Sequence, residues 1–152
     1  MIIQTWLDAL PFGILITDVE LRLVQVNRWL SARLPEIAGR LSEPIAQVFP
    51  ELAERNLIAA FELTLAEARA TALPHGLHGY FVRLPAELGS GLEEMLQSAT
   101  IAPLWTDGVV KGTLTVIEDV TQRVLTERQL GREIDKMTAL HEVDRALATL
   151  DL

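Results

Sequence analysis

The 152-residue sequence contains no cysteine, only one tyrosine and no long run of apolar residues. The missing cysteine excludes disulfides, thiol catalysis and cysteine-ligated metal sites, and it fits a reducing compartment. The apolar runs are too short and too interrupted for a transmembrane helix. The first residues, MIIQTWLDAL, lack the basic start and the cleavage site of a signal peptide. We therefore expect a cytoplasmic protein without a membrane span.

Clusters of basic residues are also missing. The formal net charge is −8, and residues 1–122 hold 15 acidic and 8 basic side chains. Domains that bind nucleic acids usually present a basic patch, so we expect no nucleic-acid partner. Hydrophobic residues make up 49% of the chain, which is enough to build the core of one folded domain.

Motifs for catalysis and for metal binding are absent as well. The sequence has no Gly-x-Ser-x-Gly elbow and no phosphate-binding Gly-Lys-Ser/Thr loop. The adjacent acids Glu118 and Asp119 fall on a predicted strand, where neighbouring side chains point to opposite faces. We interpret His75, His78 and His141 as solvated side chains. The sequence therefore predicts no catalytic residue, no metal site and no enzyme activity in this chain.

Apolar periodicity predicts helices and strands in a definite order. A helical spacing predicts an N-terminal helix over residues 1–11, ended by Pro11. A wider amphipathic pattern predicts one long helix over residues 51–70. Five stretches have the content and bounds of strands: 12–17, 22–27, 77–84, 95–105 and 112–118. This order predicts an α+β domain over residues 12–120.

The end of the chain has a different pattern. From Thr121 onward the sequence is helical and proline-free, and residues 123–145 hold five acids and five bases. Its apolar residues recur at near-heptad spacing, with one break near Leu140 of the kind called a stammer: Val124, Leu130, Ile134, Met137, Leu140, Val143, Leu147 and Leu150. An apolar stripe on a lone helix predicts a partner. The simplest partner is a second copy, so residues 121–152 predict a coiled-coil-like dimer helix.

Three motifs resemble the PAS family of sensor domains. The segment "ILITDVELRLVQVNRWLSARL" (14–34) resembles the family's opening hairpin and first helix. The segment "AGRLSEPIAQVFPEL" (38–52) resembles the middle region around a Gly-Arg pair. The segment "IAPLWTDGVVKGTLTVIEDVTQR" (101–123) resembles the closing strands and the terminal Asp-Val-Thr motif. The loop around residues 86–92 departs from the family pattern.

The resemblance implies a PAS fold, with a five-stranded antiparallel sheet and helices on one face. It also implies a pocket between the long helix and the sheet. The candidate pocket residues are Ile16, Phe61, Leu65, Phe81, Ile101 and Thr115. No cofactor is predicted, although a small molecule could occupy the pocket. The flavin chemistry that needs a cysteine adduct is excluded, and the lack of histidine in residues 51–70 argues against haem.

The resemblance also implies a function in signal transduction. Sensor domains of this kind pass a signal through an exit helix to an output domain, so Asp119 and Thr121 are candidate coupling residues at the joint. The final segment "LHEVDRALATLDL" (140–152) resembles the first helix of a GAF domain. We therefore expect a piece of a larger bacterial two-component protein, such as a histidine kinase, or of a cyclic-dinucleotide enzyme. The alternative is a ligand-free dimerisation module that holds output domains in register through the N-terminal and exit helices.

Overall fold

The computed structural model describes residues 2–150, which form seven α-helices and five β-strands. The helices are α1 (Ile2–Asp8), α2 (Arg28–Arg33), α3 (Ile45–Val48), α4 (Pro50–Glu54), α5 (Ile58–Glu67), α6 (His75–His78) and α7 (Thr121–Leu150). The strands are β1 (Gly13–Asp18), β2 (Leu23–Val26), β3 (Thr71–Leu73), β4 (Gln97–Thr106) and β5 (Val109–Asp119). A 3₁₀ helix covers Pro35–Arg40.

The five strands form one antiparallel sheet with the order β2-β1-β5-β4-β3. The predicted α+β fold is therefore confirmed. The turn between β4 and β5 contains Asp107 and Gly108, both with positive φ, as the Asp-Gly pair predicts for a tight hairpin. β5 is the central strand, and it pairs directly with β1, so the first and last strands of the domain are neighbours.

One face of the sheet carries the hydrophobic core. Side chains alternate along a strand, and the register places Leu15 of β1 opposite Thr115 of β5, with Ile101 of β4 on the other side of Thr115. Leu15 and Ile101 join the main buried cluster with residues of α2 to α5. The helices between β2 and β3 therefore cover this face.

Asn27 joins three elements at one end of the sheet. Its side chain is fully buried, and Oδ1 accepts hydrogen bonds from the N–H groups of Ile14 and Leu30. Its Nδ2 donates to the carbonyls of Leu7 and Phe12. The bond to Leu30 caps α2, as asparagine often does. One side chain thus ties the end of α1 to β1 and α2.

The single long helix predicted over residues 51–70 is wrong. The structure has two helices there, α4 and α5, and Asn56 between them has a left-handed backbone with φ 58°. Asparagine adopts this conformation at lower cost than most residues, so the chain turns where the apolar pattern runs on.

The strand predicted over residues 77–84 is also wrong. Residues 75–78 form the short helix α6, and residues 79–84 have no regular structure. The apolar side chains that suggested a strand, Phe81, Val82 and Leu84, are buried in the core cluster. The strand that fills this place in the sheet is the three-residue β3, formed by Thr71–Leu73.

The described chain divides into two compact units between Val120 and Thr121. The first unit contains the sheet and the helices α1 to α6. The second unit is α7, an uninterrupted helix of 30 residues.

Candidate functional site

Four of the predicted pocket residues belong to the interior of the first unit. Phe61 of α5 and Phe81 have ring centroids 5.8 Å apart, with the ring planes tilted by 39°. Ile101 and Thr115 pair across β4 and β5. All four are buried, and the three apolar ones belong to the core cluster. The structure therefore brings helix-side aromatic rings and the centre of the sheet into one core.

Ile16 and Leu65 do not belong to this group. Ile16 lies one residue from Leu15 on β1, so its side chain is on the opposite face of the sheet. Leu65 is half-buried and outside the core cluster, whereas Thr64 beside it is buried. Phe61 and Thr64 are the buried residues of α5, whereas Leu65 keeps part of its surface exposed.

Threonine hydroxyl groups lie on the core face among these apolar side chains. Thr17 and Thr113 share a hydrogen bond of 2.7 Å across β1 and β5. Thr64 donates or accepts in a bond of 2.8 Å with Thr71. Within residues 2–150, Oγ1 of Thr115 is buried and has no hydrogen-bond partner. An unpaired buried hydroxyl costs about 1–3 kcal/mol, so Thr115 is a chemically distinct point in the core.

The joint between the last strand of the sheet and the exit helix is short. β5 ends at Asp119 and α7 begins at Thr121, which leaves only Val120 between them. Asp119 is opposite Gln97 in the ladder with β4. The N–H of Val120 donates to the carbonyl of Leu96 at 2.9 Å. The chain is therefore held by the sheet up to the residue before the helix.

Three of the four predicted dimer residues of α7 line an exposed stripe. Leu130, Ile134 and Met137 are exposed, whereas Val124, the fourth residue of the helix, is buried. The stripe continues through exposed Leu140, Val143 and Leu147. On α1, Ile3 and Trp6 are exposed as well. These are the surfaces that the sequence predicts to contact a second copy.

A surface cavity of about 130 Å³ lies away from the sheet. Its lining includes the apolar Ile37 and Phe49 and the basic Arg40 and Arg83. Hydrogen bonding to Glu43 raises the pKa of Arg40 above its ordinary value. Because Glu36 and Glu51 also line the cavity, its charges are balanced and favour neither a cation nor an anion.

The described residues hold no metal-binding constellation. No group of three or more histidine or acidic side chains is placed to hold a metal ion within residues 2–150. His75 and His78 lie on α6, and the carbonyl of His78 accepts a hydrogen bond from Arg55. None of the helices in this part of the chain combines the length and the apolar character that a bilayer crossing requires.

Sequence reasoning missed two buried amides, Asn27 and Gln97. Both are fully buried, and both bond main-chain groups that are distant in sequence. The signal for Asn27 was present, because an asparagine that follows a strand and precedes a helical pattern is typical of a helix cap. Nothing local marks Gln97, since its partners are 15 and 16 residues away.

The fold can be compared with known proteins. No protein-family model matches the chain, and no curated protein matches it in sequence. Among solved structures, the PAS domain of BvgS from Bordetella pertussis is similar with a TM-score of 0.58 and 20% identity, over 89% of this chain and 96% of that one.

Two further solved structures are similar in the same way. A sensory box sensor histidine kinase from Vibrio cholerae has a TM-score of 0.57 and 19% identity, over 78% of this chain and 89% of that one. The PAS domain of nitrogen regulation protein NR(II) from Vibrio parahaemolyticus has a TM-score of 0.53 and 11% identity, over 78% of this chain and 98% of that one. The strand order, the helices on one sheet face and these similarities together identify the first unit of the chain as a PAS fold.

Proposed function

We propose that this chain is a sensory module that relays the state of its PAS core through α7 to an output domain of the same protein. The output domain would be a histidine kinase or a related signalling enzyme, and the module itself would have no catalytic activity. The observation that carries the proposal is the joint at Val120. A single residue links the last strand to the helix, and a main-chain hydrogen bond holds that residue to the sheet.

A short joint matters because it limits slack. A flexible linker lets a sheet move without moving the next element, whereas one ordered residue passes a rotation or shift onward. A ligand or partner changes the output only if it binds two arrangements of the module with different affinity. The joint supplies the mechanical connection that such a difference requires.

The unpaired hydroxyl of Thr115 supports a small-molecule ligand for the core. A ligand that accepts or donates one hydrogen bond there would satisfy a group that otherwise has no partner among the described residues. Leu15 and Ile101 flank Thr115 in the sheet, and Phe61, Phe81 and Ile101 belong to the same buried core. The chemistry fits a small, mainly apolar molecule with one polar group.

We further propose that the module acts as a homodimer in the cytoplasm. The exposed stripe of α7 supports this because seven large apolar side chains lie on one helix without cover. Trp6 and Ile3 of α1 offer a second apolar surface. A dimer would hold two output domains in register while the PAS core changes their state.

The relay is tested by placing a proline in the exit helix. The chain is fused in frame to a histidine-kinase catalytic core, and autophosphorylation is compared with and without the core substitution Thr115→Val. We expect that substitution to change autophosphorylation about fivefold or more, the size of a typical coupling, and we expect Val124→Pro to abolish the difference. Proline at the fourth helical position removes a main-chain hydrogen bond and clashes with the preceding turn.

The matched control is Gln122→Pro, which lies in the first turn of α7, where proline is tolerated because no intrahelical bond is lost. This variant should keep the response. An unchanged response in Val124→Pro would contradict the relay.

The second candidate function is a ligand-free module that only holds output domains in register. The exposed stripe of α7 favours it as much as it favours a sensor. Native mass spectrometry and an absorbance spectrum of the purified chain distinguish the two functions. A bound small molecule supports sensing, whereas an empty dimer whose kinase fusion ignores Thr115→Val supports scaffolding.

A further inference from the structure

Gln97, the first residue of β4, is only 1% exposed although its side chain is polar. Its Oε1 accepts hydrogen bonds from the N–H groups of Phe81 and Val82, at 3.0 and 3.1 Å. Its Nε2 donates to the carbonyl of Val82 at 2.8 Å. A primary amide can make about four hydrogen bonds. The side chain of Gln97 therefore uses most of its hydrogen-bonding groups on two consecutive residues.

The segment of residues 79–82 depends on these bonds. It has no strand partner, yet Phe81 and Val82 are buried, and buried main-chain groups need partners. The side chain of Gln97 supplies them in place of a neighbouring strand. The main-chain N–H of Gln97 also donates to the carbonyl of Gly79 at 3.0 Å. One residue thus anchors the segment to the sheet.

Arg55 anchors the same segment from the helical side. Its guanidinium group donates to the carbonyl of Tyr80 at 2.7 Å and to the carbonyl of His78. The guanidinium carbon also lies 3.9 Å from the centre of the Tyr80 ring. Between the two anchors, Phe81 contacts Phe61. A rearrangement of the aromatic core would therefore move a segment that Gln97 binds on one side.

Gln97 is also placed at the exit of the domain. In the β4–β5 ladder it pairs with Asp119, the last residue of β5. The carbonyl of the preceding residue, Leu96, accepts the N–H of Val120. The start of β4 thus contacts both the core segment 79–82 and the last two residues before α7.

We propose that Gln97 is the positioning residue that couples the segment 79–82 to the end of β5, and so sets the state of the exit joint. This inference rests on the proposed relay function, because it names the residue through which the core would act on the joint. Its content is a physical coupling inside the first unit, which can be measured without an output domain.

A double-mutant cycle on the whole chain tests the coupling. Arg55→Met releases the segment on the helical side, and the readouts are the amide chemical shifts and hydrogen-exchange rates of Asp119 and Val120. We expect Arg55→Met to shift both amides and to raise exchange at Val120 about fivefold or more, the scale of a typical coupling. In the Gln97→Met background, the same Arg55→Met change should leave Val120 within about twofold of the Gln97→Met single variant, because the side-chain bonds to Phe81 and Val82 are gone.

Gln47→Met is the matched control, since Gln47 is exposed and its main-chain carbonyl accepts a hydrogen bond from Arg40, which the substitution keeps. It should leave the cycle unchanged. If Gln97→Met does not fold, the cycle is run with Gln97→Glu, which keeps acceptors for both N–H groups and loses the donated bond to Val82. That variant should remove part of the effect.

Two results would overturn the inference. One is an equal effect of Arg55→Met at Asp119 and Val120 with and without the Gln97 amide, and the other is no effect at those amides in either background. The kinase fusion is a separate measurement. If the double-mutant cycle shows the coupling but the kinase fusion does not respond, the proposed function alone is contradicted. If the kinase fusion responds but the cycle shows no coupling, only the role of Gln97 is contradicted.

Discussion

Thr113 and Thr115 lie two residues apart on the same face of β5, and their hydroxyl groups have opposite surroundings. Thr113 shares a short hydrogen bond with Thr17. Thr115 has no partner within the described residues. Two chemically identical side chains on one strand therefore provide an internal comparison of a satisfied and an unsatisfied buried hydroxyl.

We expect Thr115→Val to stabilise the ligand-free protein by about 1–2 kcal/mol, because it replaces an unpaired hydroxyl with a methyl group of the same shape. Thr113→Val should destabilise it by about 1 kcal/mol, since Thr17 loses its partner. Urea unfolding of both variants measures the two changes in free energy. A loss of stability in Thr115→Val would show that a water or a ligand already occupies a position at its hydroxyl.

Gly112 on β5 is restricted by a close approach of the neighbouring strand. A Cβ atom at this position would overlap the carbonyl oxygen of Thr17 on the neighbouring strand. We expect Gly112→Ala to cost about 3 kcal/mol or more, because main-chain atoms of two central strands cannot both move aside. Gly39→Ala is the control, since a Cβ there meets nothing within 4 Å. Thermal unfolding of the two variants should differ by several degrees, and equal melting temperatures would contradict the close approach.

At the scale of elements, the sequence predicts β1, β2, β4, β5 and α7 well because their signals are local. Short runs of apolar and β-branched residues, the Asp107-Gly108 turn and a proline-free helical run each act within a few residues. The same reasoning fails at residues 75–84, where strand-like side chains enter the core without a strand. Their main chain is satisfied by Gln97 and Arg55, which no local pattern shows.

Some residues of the candidate site could be placed from the sequence and others could not. Phe61, Phe81 and Ile101 could be placed in the interior because large apolar residues are usually core, and Thr115 could be placed there from the segment 101–123 that contains it. Ile16 could not be assigned to a face, since Ile14, Leu15 and Ile16 are all apolar and alternation gives no signal in such a run. The register between β1 and β5 decides it.

Gly131 is a weak point in α7. Glycine costs a helix interior about 1 kcal/mol relative to alanine, and a Cβ at Gly131 meets nothing within 4 Å. We expect Gly131→Ala to slow hydrogen exchange about fivefold for the amides of the surrounding two turns. Ala139→Gly makes the reverse change and should speed exchange around residue 139. No difference between the two variants would mean that α7 opens only as a whole.

At the scale of the whole molecule, the exposed stripe of α7 decides whether the chain functions alone. Leu130, Ile134 and Met137 keep more than half of their surface exposed, at 53, 62 and 70%. Each large side chain of this kind gains about 1.5–3 kcal/mol when it is fully buried. α7 is a 30-residue helix with acidic and basic residues on its other faces. An apolar stripe on such a helix is typical of a surface that packs against a partner.

We therefore expect the chain to sediment as a dimer, and we expect Ile134→Glu to raise the dissociation constant at least about tenfold, the equivalent of about 1.4 kcal/mol. A carboxylate in the seam removes apolar burial and places two like charges opposite each other across a parallel dimer.

Gln129→Glu is the matched control, because it adds the same charge at an exposed position outside the stripe. Sedimentation equilibrium across a concentration series measures both variants. Equal dissociation constants for the two would place the contact elsewhere, and Trp6→Glu on α1 would then be the variant that weakens the dimer, since Trp6 is 68% exposed on the other apolar surface. A wild-type chain that stays monomeric at every concentration would contradict the dimer.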